Sequence, residues 1–394
     1  MSDGLLSLLT HRGDRPRARL LAQGFTEADI AAAVRHGDIV RVARGMYGVP
    51  RPGSTPEERH VRLAAAMARR FAGTAVLSHH SALATAGLPL HGVPFDVAHL
   101  TSVRSRHYRR RTDHVLHAAD FSSQDALVTL QHGASWACPP GLLVELCPGR
   151  HDTPGRHDEH SGYDEHSRHD DPSGHDVLPR VGIGAALVQT GLRWGAQALL
   201  PSADAALRRG LVSEQELAEA VAGYARSPGM TQVRRAVAAV DPLSESVGET
   251  LLRWQMTCLG FPMRSQVEAG CPGRRYRLDL VIEGTGVALE FDGMTKYGLD
   301  DAAMSVQQRG ALLRAEKSRD ENLRRRGWYV IHVTWPELFR PTLLAGRLPV
   351  PFPPQPSSHQ PLSHTPSPTT PSSTRTSSPR SAPAPPRLTP HLLD

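Results

Sequence analysis

A chain of 394 residues, 39% of them hydrophobic, holds enough apolar side chains for two or three modest cores. No apolar run approaches the twenty residues a membrane-spanning helix needs, so the expectation is a soluble, multidomain protein with no membrane partner. The formal net charge of +6 is uneven: residues 151–176 hold eight acids against Arg156 and Arg168, so that segment carries −6 and the remainder +12. Such an excess favours a polyanionic partner without specifying one.

The opening residues, MSDGLLSLLTHRGDRPRA, border their few leucines with His11, Arg12 and Asp14. A basic n-region, a long apolar core and a small-residue cleavage site are missing, which predicts a cytoplasmic protein. Cys138, Cys147, Cys258 and Cys271 form no CxxC pair and read as reduced, small apolar residues.

Residues 1–52 carry a compact signal in RPRARLLAQGFTEADIAAAVRHGDIVRVARGMYGVP. A helix runs to about Gln23, turns at Gly24 and Phe25, and a second helix starts behind Thr26 as N-cap with Asp29 three residues on. Gly37 is its natural stop. Ile30, Ala33 and Val34 mark its buried face, and Ile39–Val42 and Met46–Val49 read as two strands around Arg44 and Gly45. Helix, turn, helix and two-stranded wing is the winged-helix plan. Such a module would lay its second helix in a major groove, with Arg35, Arg41 and Arg44 on phosphates. A small helical module that binds protein fits the same pattern. The stretch GFTEADIAAAVRHGDIVRVARGMYGV resembles the N-terminal domain of AbiEi-family antitoxins, which implies DNA binding and a cognate toxin or other protein partner.

Residues 53–148 read as a mixed α/β region. EERHVRLAAAMARRFA predicts a helix, and AVLSHHSALATAGLPL a strand running into another, with Ser78 as its cap beside His79 and His80. RSRHYRRR sets Arg104, Arg106, Arg109, Arg110 and Arg111 around His107 and Tyr108, as a phosphate-backbone patch or a solvated basic loop. Residues 149–177 repeat GRHD and DEHS and read as a disordered, duplicated insertion whose six histidines bind Zn²⁺ or Ni²⁺ adventitiously at most. Residues 178–242 read as helical, with a capping box at Ser213 and Glu216. From 346 to 394, Pro, Ser and Thr alternate with almost no large apolar residue, which predicts a disordered tail.

Residues 243–345 hold RYRLDLVIEGTGVALEFDGMTKY, two apolar runs around a turn. A two-residue loop at Gly284 and Thr285 brings Asp279 across from Glu290 and Arg277 across from Asp292. Leu278, Leu280, Ile282, Val287, Leu289 and Phe291 then share one apolar face. Like charges opposed at about 5 Å destabilise a sheet, so the pair calls for a cation. One candidate is a divalent metal, where hard oxygen ligands favour Mg²⁺ or Mn²⁺. The other is neutralisation by Arg277 and neighbouring lysines. Glu249 near the start of the preceding helix can point a third carboxylate at the same place, and the following helix bears Lys317, Asp320 and Arg324 on one face before Gly327 stops it.

This part resembles the domain of unknown function related to the very-short-patch-repair endonucleases, within the PD-(D/E)XK superfamily. Glu249 of SESVGE, Asp279 of RLD, Glu290 and Asp292 of LEFDG, and EKSRDENLRRRGW carry the likeness. The resemblance implies a restriction-endonuclease-like α/β domain with Asp279 and Glu290 as metal carboxylates, Glu249 and Asp292 around the same ion, and Lys317 and Arg324 near the scissile phosphate. The superfamily pattern sets a lysine two residues after Glu290; here that position is Asp292, and Lys296 or Lys317 would substitute. The whole is expected to be an α+β chain acting on DNA: a metal-dependent endonuclease, or a non-catalytic DNA-binding regulator of the AbiEi antitoxin kind.

Overall fold

The computed structural model describes residues 2–103, 107–118, 178–271, 274–293 and 305–349, with the backbone of three short strands between 127 and 145. The insertion at 149–177, Arg104, Arg106, Lys296 and the tail beyond 349 lie outside the described residues. Among those described, no helix is long and apolar enough to cross a membrane.

The first elements are α1 (Ser2–Arg12), β1 (Arg15–Pro16), α2 (Arg17–Ala22), α3 (Glu27–His36), β2 (Val40–Ala43) and β3 (Met46–Gly48). Thr26 and Asp29 make the expected reciprocal cap of α3, and Gly37 ends it at φ 82°. Ile30 and Ala33 join Leu5, Leu9, Leu20 and Ile39 in a small core. Val34, expected on that buried face, is instead exposed. The strands order as β1-β3-β2, so the expected strand pair gains a third strand from residues ahead of α2. Asp14 anchors this unit to the next: Arg62 donates to both its oxygens, at 2.8 and 2.6 Å, and to the Val49 carbonyl.

The middle region contains α4 (Pro56–Arg70), β4 (Ala75–Leu77), α5 (His79–Thr85), β5 (Ala98–Ser102), β6 (Arg109–Arg110), β7 (His114–His117), β8 (Leu127–Thr129), β9 (Ser135–Ala137), β10 (Val144–Glu145) and β11 (Arg180–Val181). Its mixed sheet orders as β10-β11-β4-β5-β7-β6. Helices α6 (Ile183–Trp194), α7 (Ala196–Arg208), α8 (Glu214–Gly223) and α9 (Met230–Val237) complete it, α8 behind the expected Ser213/Glu216 box. Leu77, Leu83, Leu100, Leu187, Leu199 and Leu200 are fully buried in one core, each worth about 1.5–3 kcal/mol over an exposed side chain.

The last part runs α10 (Val247–Cys258), β12 (Met263–Cys271), β13 (Arg274–Ile282), β14 (Val287–Asp292), α11 (Val306–Arg324), β15 (Tyr329–Thr334), α12 (Trp335–Leu338) and α13 (Pro341–Gly346). Strand β12 is additional to the expected helix, hairpin, helix and strand. The sheet orders as β12-β13-β14-β15, antiparallel except that β15 returns beside β14 in parallel after the α11 crossover. Leu251, Leu252 and Met256 of α10 pack on Leu280, Leu289, Phe291, Ile331 and Val333. Asp204 of α7 ties α10 down, accepting from Thr250 Oγ1 and Arg253, each at 2.7 Å, and from the Asp241 N–H at 2.8 Å.

Candidate functional site

The site lies where β13 and β14 separate. Leu280 pairs with Leu289 and Val281 with Ala288, the offset that sets Asp279 against Glu290. The turn, however, is closed by Thr285 N–H to Ile282 C=O at 3.2 Å, with Gly284 at φ 72° as its third residue, one position earlier than the expected loop. Past Leu280 the ladder opens. The Phe291 N–H donates to the Asp279 carboxylate at 3.1 Å. The strict alternation fails there too: Leu278 packs with Ala269, Val281, Ala288 and Leu323 instead of with Leu280 and Ile282.

Glu290 is 1% exposed. Both its oxygens accept from the Arg319 guanidinium, which also donates to the Arg277 carbonyl at 2.9 Å and lies over the Tyr276 ring. Arg319 is held more firmly protonated, first by its hydrogen bonds to Glu290 and further by the charges of Asp320 and Asp279. The cation that the opposed carboxylates call for is thus supplied from α11. Arg277, the expected neutraliser, reaches Glu245 at 2.7 Å.

Asp292 is buried at the end of β14 and meets His332, whose Nδ1 lies 3.0 Å from Asp292 Oδ2 and whose Nε2 lies 3.1 Å from Asp320 Oδ2. Flanked this way, His332 is pushed up to about 9, first by the Asp292 hydrogen bond, and carries a positive charge at neutral pH. Ligand atoms of Asp292, Glu316 and His332 lie within 4.8 Å of one another. Asp279, Glu290, Asp292, Glu316 and Asp320 therefore stand at one end of the sheet with Arg319 and His332 as their cations.

Glu249 is used in a different way. It accepts from Ser246 Oγ at 2.8 Å, the Glu245 N–H at 3.0 Å and Gln266 Nε2 at 2.9 Å, so it caps α10 and braces β12. Lys317 and Arg324 are exposed on α11, whereas Glu316, Arg319, Asp320 and Leu323 make up its sheet-facing side. Lys296 lies outside the described residues. The hard oxygens of Asp292 and Glu316 suit Mg²⁺ or Mn²⁺, while Glu290 has both oxygens engaged by Arg319.

In the N-terminal part Arg35, Arg41 and Arg44 are all exposed. Arg44 and Arg109, far apart in sequence, line one cavity of about 420 Å³ with Arg70, Arg111, Asp113 and His114. Arg110 neighbours Arg109 in β6, paired with Val115.

Glu316, Arg319, His332 and Arg70 are the participants sequence reasoning missed. The spacing of Glu316, Arg319, Asp320 and Leu323 places them on one helical face, and that was the available signal. No protein-family model matches the chain, and no curated protein is significantly similar to it.

Proposed function

We propose that this chain binds DNA through an N-terminal winged helix and hydrolyses phosphodiester bonds with a metal-dependent, restriction-endonuclease-like C-terminal domain. The observation that carries the reading is the gathering of five carboxylates at the opening of β13 and β14, beside Arg319 and His332. The ligand atoms of Asp292 and Glu316, close together there, favour a divalent cation. When bound, Mg²⁺ or Mn²⁺ would supply a Lewis acid for phosphate charge. Arg319 orients Glu290 and adds a fixed positive charge beside the carboxylates. The N-terminal reading is supported by the helix, strand, helix, helix, strand, strand order and by exposed Arg35, Arg41 and Arg44.

Supercoiled and linear DNA incubated with the purified chain and Mg²⁺ or Mn²⁺ provide the test. Cleavage abolished by Asp292→Asn and Asp279→Asn is the expected result. Absence of cleavage, or cleavage that survives both substitutions, removes the enzymatic assignment.

A second reading, a non-catalytic DNA-binding regulator of the AbiEi antitoxin kind, is favoured by the Arg319 clamp on Glu290 and by the engagement of Glu249 in capping. Sequence-specific promoter binding that lowers transcription, without cleavage, would select it.

A further inference from the structure

We propose that His79, His99 and His117 form a binding site for a divalent transition ion of the Zn²⁺ class within the middle region. The three come from α5, β5 and β7, and their ligand atoms lie within 4.8 Å of one another. His99 Nδ1 and His117 Nε2 are 2.8 Å apart, and the His79 ring stacks on His117 with centroids 3.9 Å apart. In a tetrahedral zinc site with bonds near 2.05 Å, ligand nitrogens stand about 3.3 Å apart, so His99 and His117 need part by only about half an ångström.

The surroundings set the rings for this role. Ser78 Oγ lies 3.0 Å from His79 Nδ1, an outer partner that fixes the ring and leaves Nε2 as the ligand atom. Residue 79 is held at φ 53°, a conformation costly for a side chain of this size, while its N–H donates to Gln189 Oε1 at 3.0 Å. The edge of Trp194 walls the cluster against His79 and His99. Burial disfavours the protonated form of all three imidazoles, and the neutral form is the one that binds metal. Three protein ligands leave the fourth position of a tetrahedral ion to water or a small anion. The site shares no residue with the carboxylates of the C-terminal sheet.

The experiment uses the full chain with the six insertion histidines changed to alanine, so that adventitious binding there is removed. One equivalent of Zn²⁺ retained against a competing chelator, and Co²⁺ substitution giving the visible absorption of a tetrahedral ion, are expected. His99→Ala and His117→Ala should each weaken that binding at least about tenfold. His117→Gln keeps a hydrogen-bond partner for His99 and a folded circular-dichroism spectrum, yet loses the ion. Absence of stoichiometric binding to the six-alanine chain, or binding unchanged by His117→Gln, overturns the proposal.

Discussion

Arg319 reaches down from α11 and donates to both carboxylate oxygens of buried Glu290. A buried carboxylate without its partner is expensive, so Arg319→Ala should destabilise the fold by about 3–5 kcal/mol. Replacing both members, Arg319→Met with Glu290→Leu, removes both desolvation costs and should recover most of that loss. Urea denaturation of the three variants checks both statements, and a small effect of Arg319→Ala would mean that the pair is not sealed from water.

His332 gives the domain a pH signature. Its folded pKa, raised to about 9 chiefly by Asp292, lies above the ordinary 6.5. The stabilisation is therefore complete below pH 6.5 and is lost as pH rises through 9, by up to about 3 kcal/mol for a shift of this size. His332→Gln should lower stability at pH 6 and flatten the profile between 6.5 and 9.5. Thermal or urea midpoints across that range decide it.

Gly248 fixes how closely α10 approaches the sheet. A Cβ at this position would lie 2.0 Å from the Phe291 ring, whereas one at Gly270 meets nothing within 4 Å. Gly248→Ala should cost about 1–3 kcal/mol through forced repacking of Phe291 against α10, and Gly270→Ala should be near neutral. Because Phe291 neighbours both Glu290 and Asp292, the Gly248 variant should also disturb the site, which loss of any cleavage activity ahead of unfolding would reveal.

Local chemistry was the legible part of this chain. The Thr26/Asp29 and Ser213/Glu216 boxes and the stop at Gly37 appear where expected, since each depends on neighbours three or four residues away. The hairpin offset was legible for the same reason, although the turn moved by one residue and Leu278 left its face where Asp279 opens the ladder. What failed needed partners distant in sequence. Among the described residues, strand β12 pairs only with β13, and it mixes polar and apolar residues without clear alternation. The sheet-facing side of α11 is charged, so apolar periodicity could not reveal Glu316 and Arg319. Ser78, expected to cap α5, bonds His79 instead, and His99 and His117 reach that ring only because β5 and β7 pair in parallel.

The cavity shared by Arg44, Arg70, Arg109 and Arg111 carries a prediction about salt. Arg44 follows β2 and Arg109 belongs to β6, so two separate basic stretches present guanidinium groups to the same space. Asp113 lies among them, accepting from the Arg44 N–H at 3.2 Å and standing 3.7 Å from Arg70. If the cavity seats a DNA phosphate, each arginine in contact releases counterions, and the slope of log affinity against log salt should flatten by about 0.9 for each contact removed. Arg109→Ala and Arg70→Ala should therefore weaken binding to any duplex to a similar degree and reduce the slope. Asp113→Asn, which removes the opposing charge, should tighten binding. Fluorescence anisotropy over a salt series measures all three, and slopes equal to wild type in both arginine variants would exclude the cavity from the DNA-binding surface.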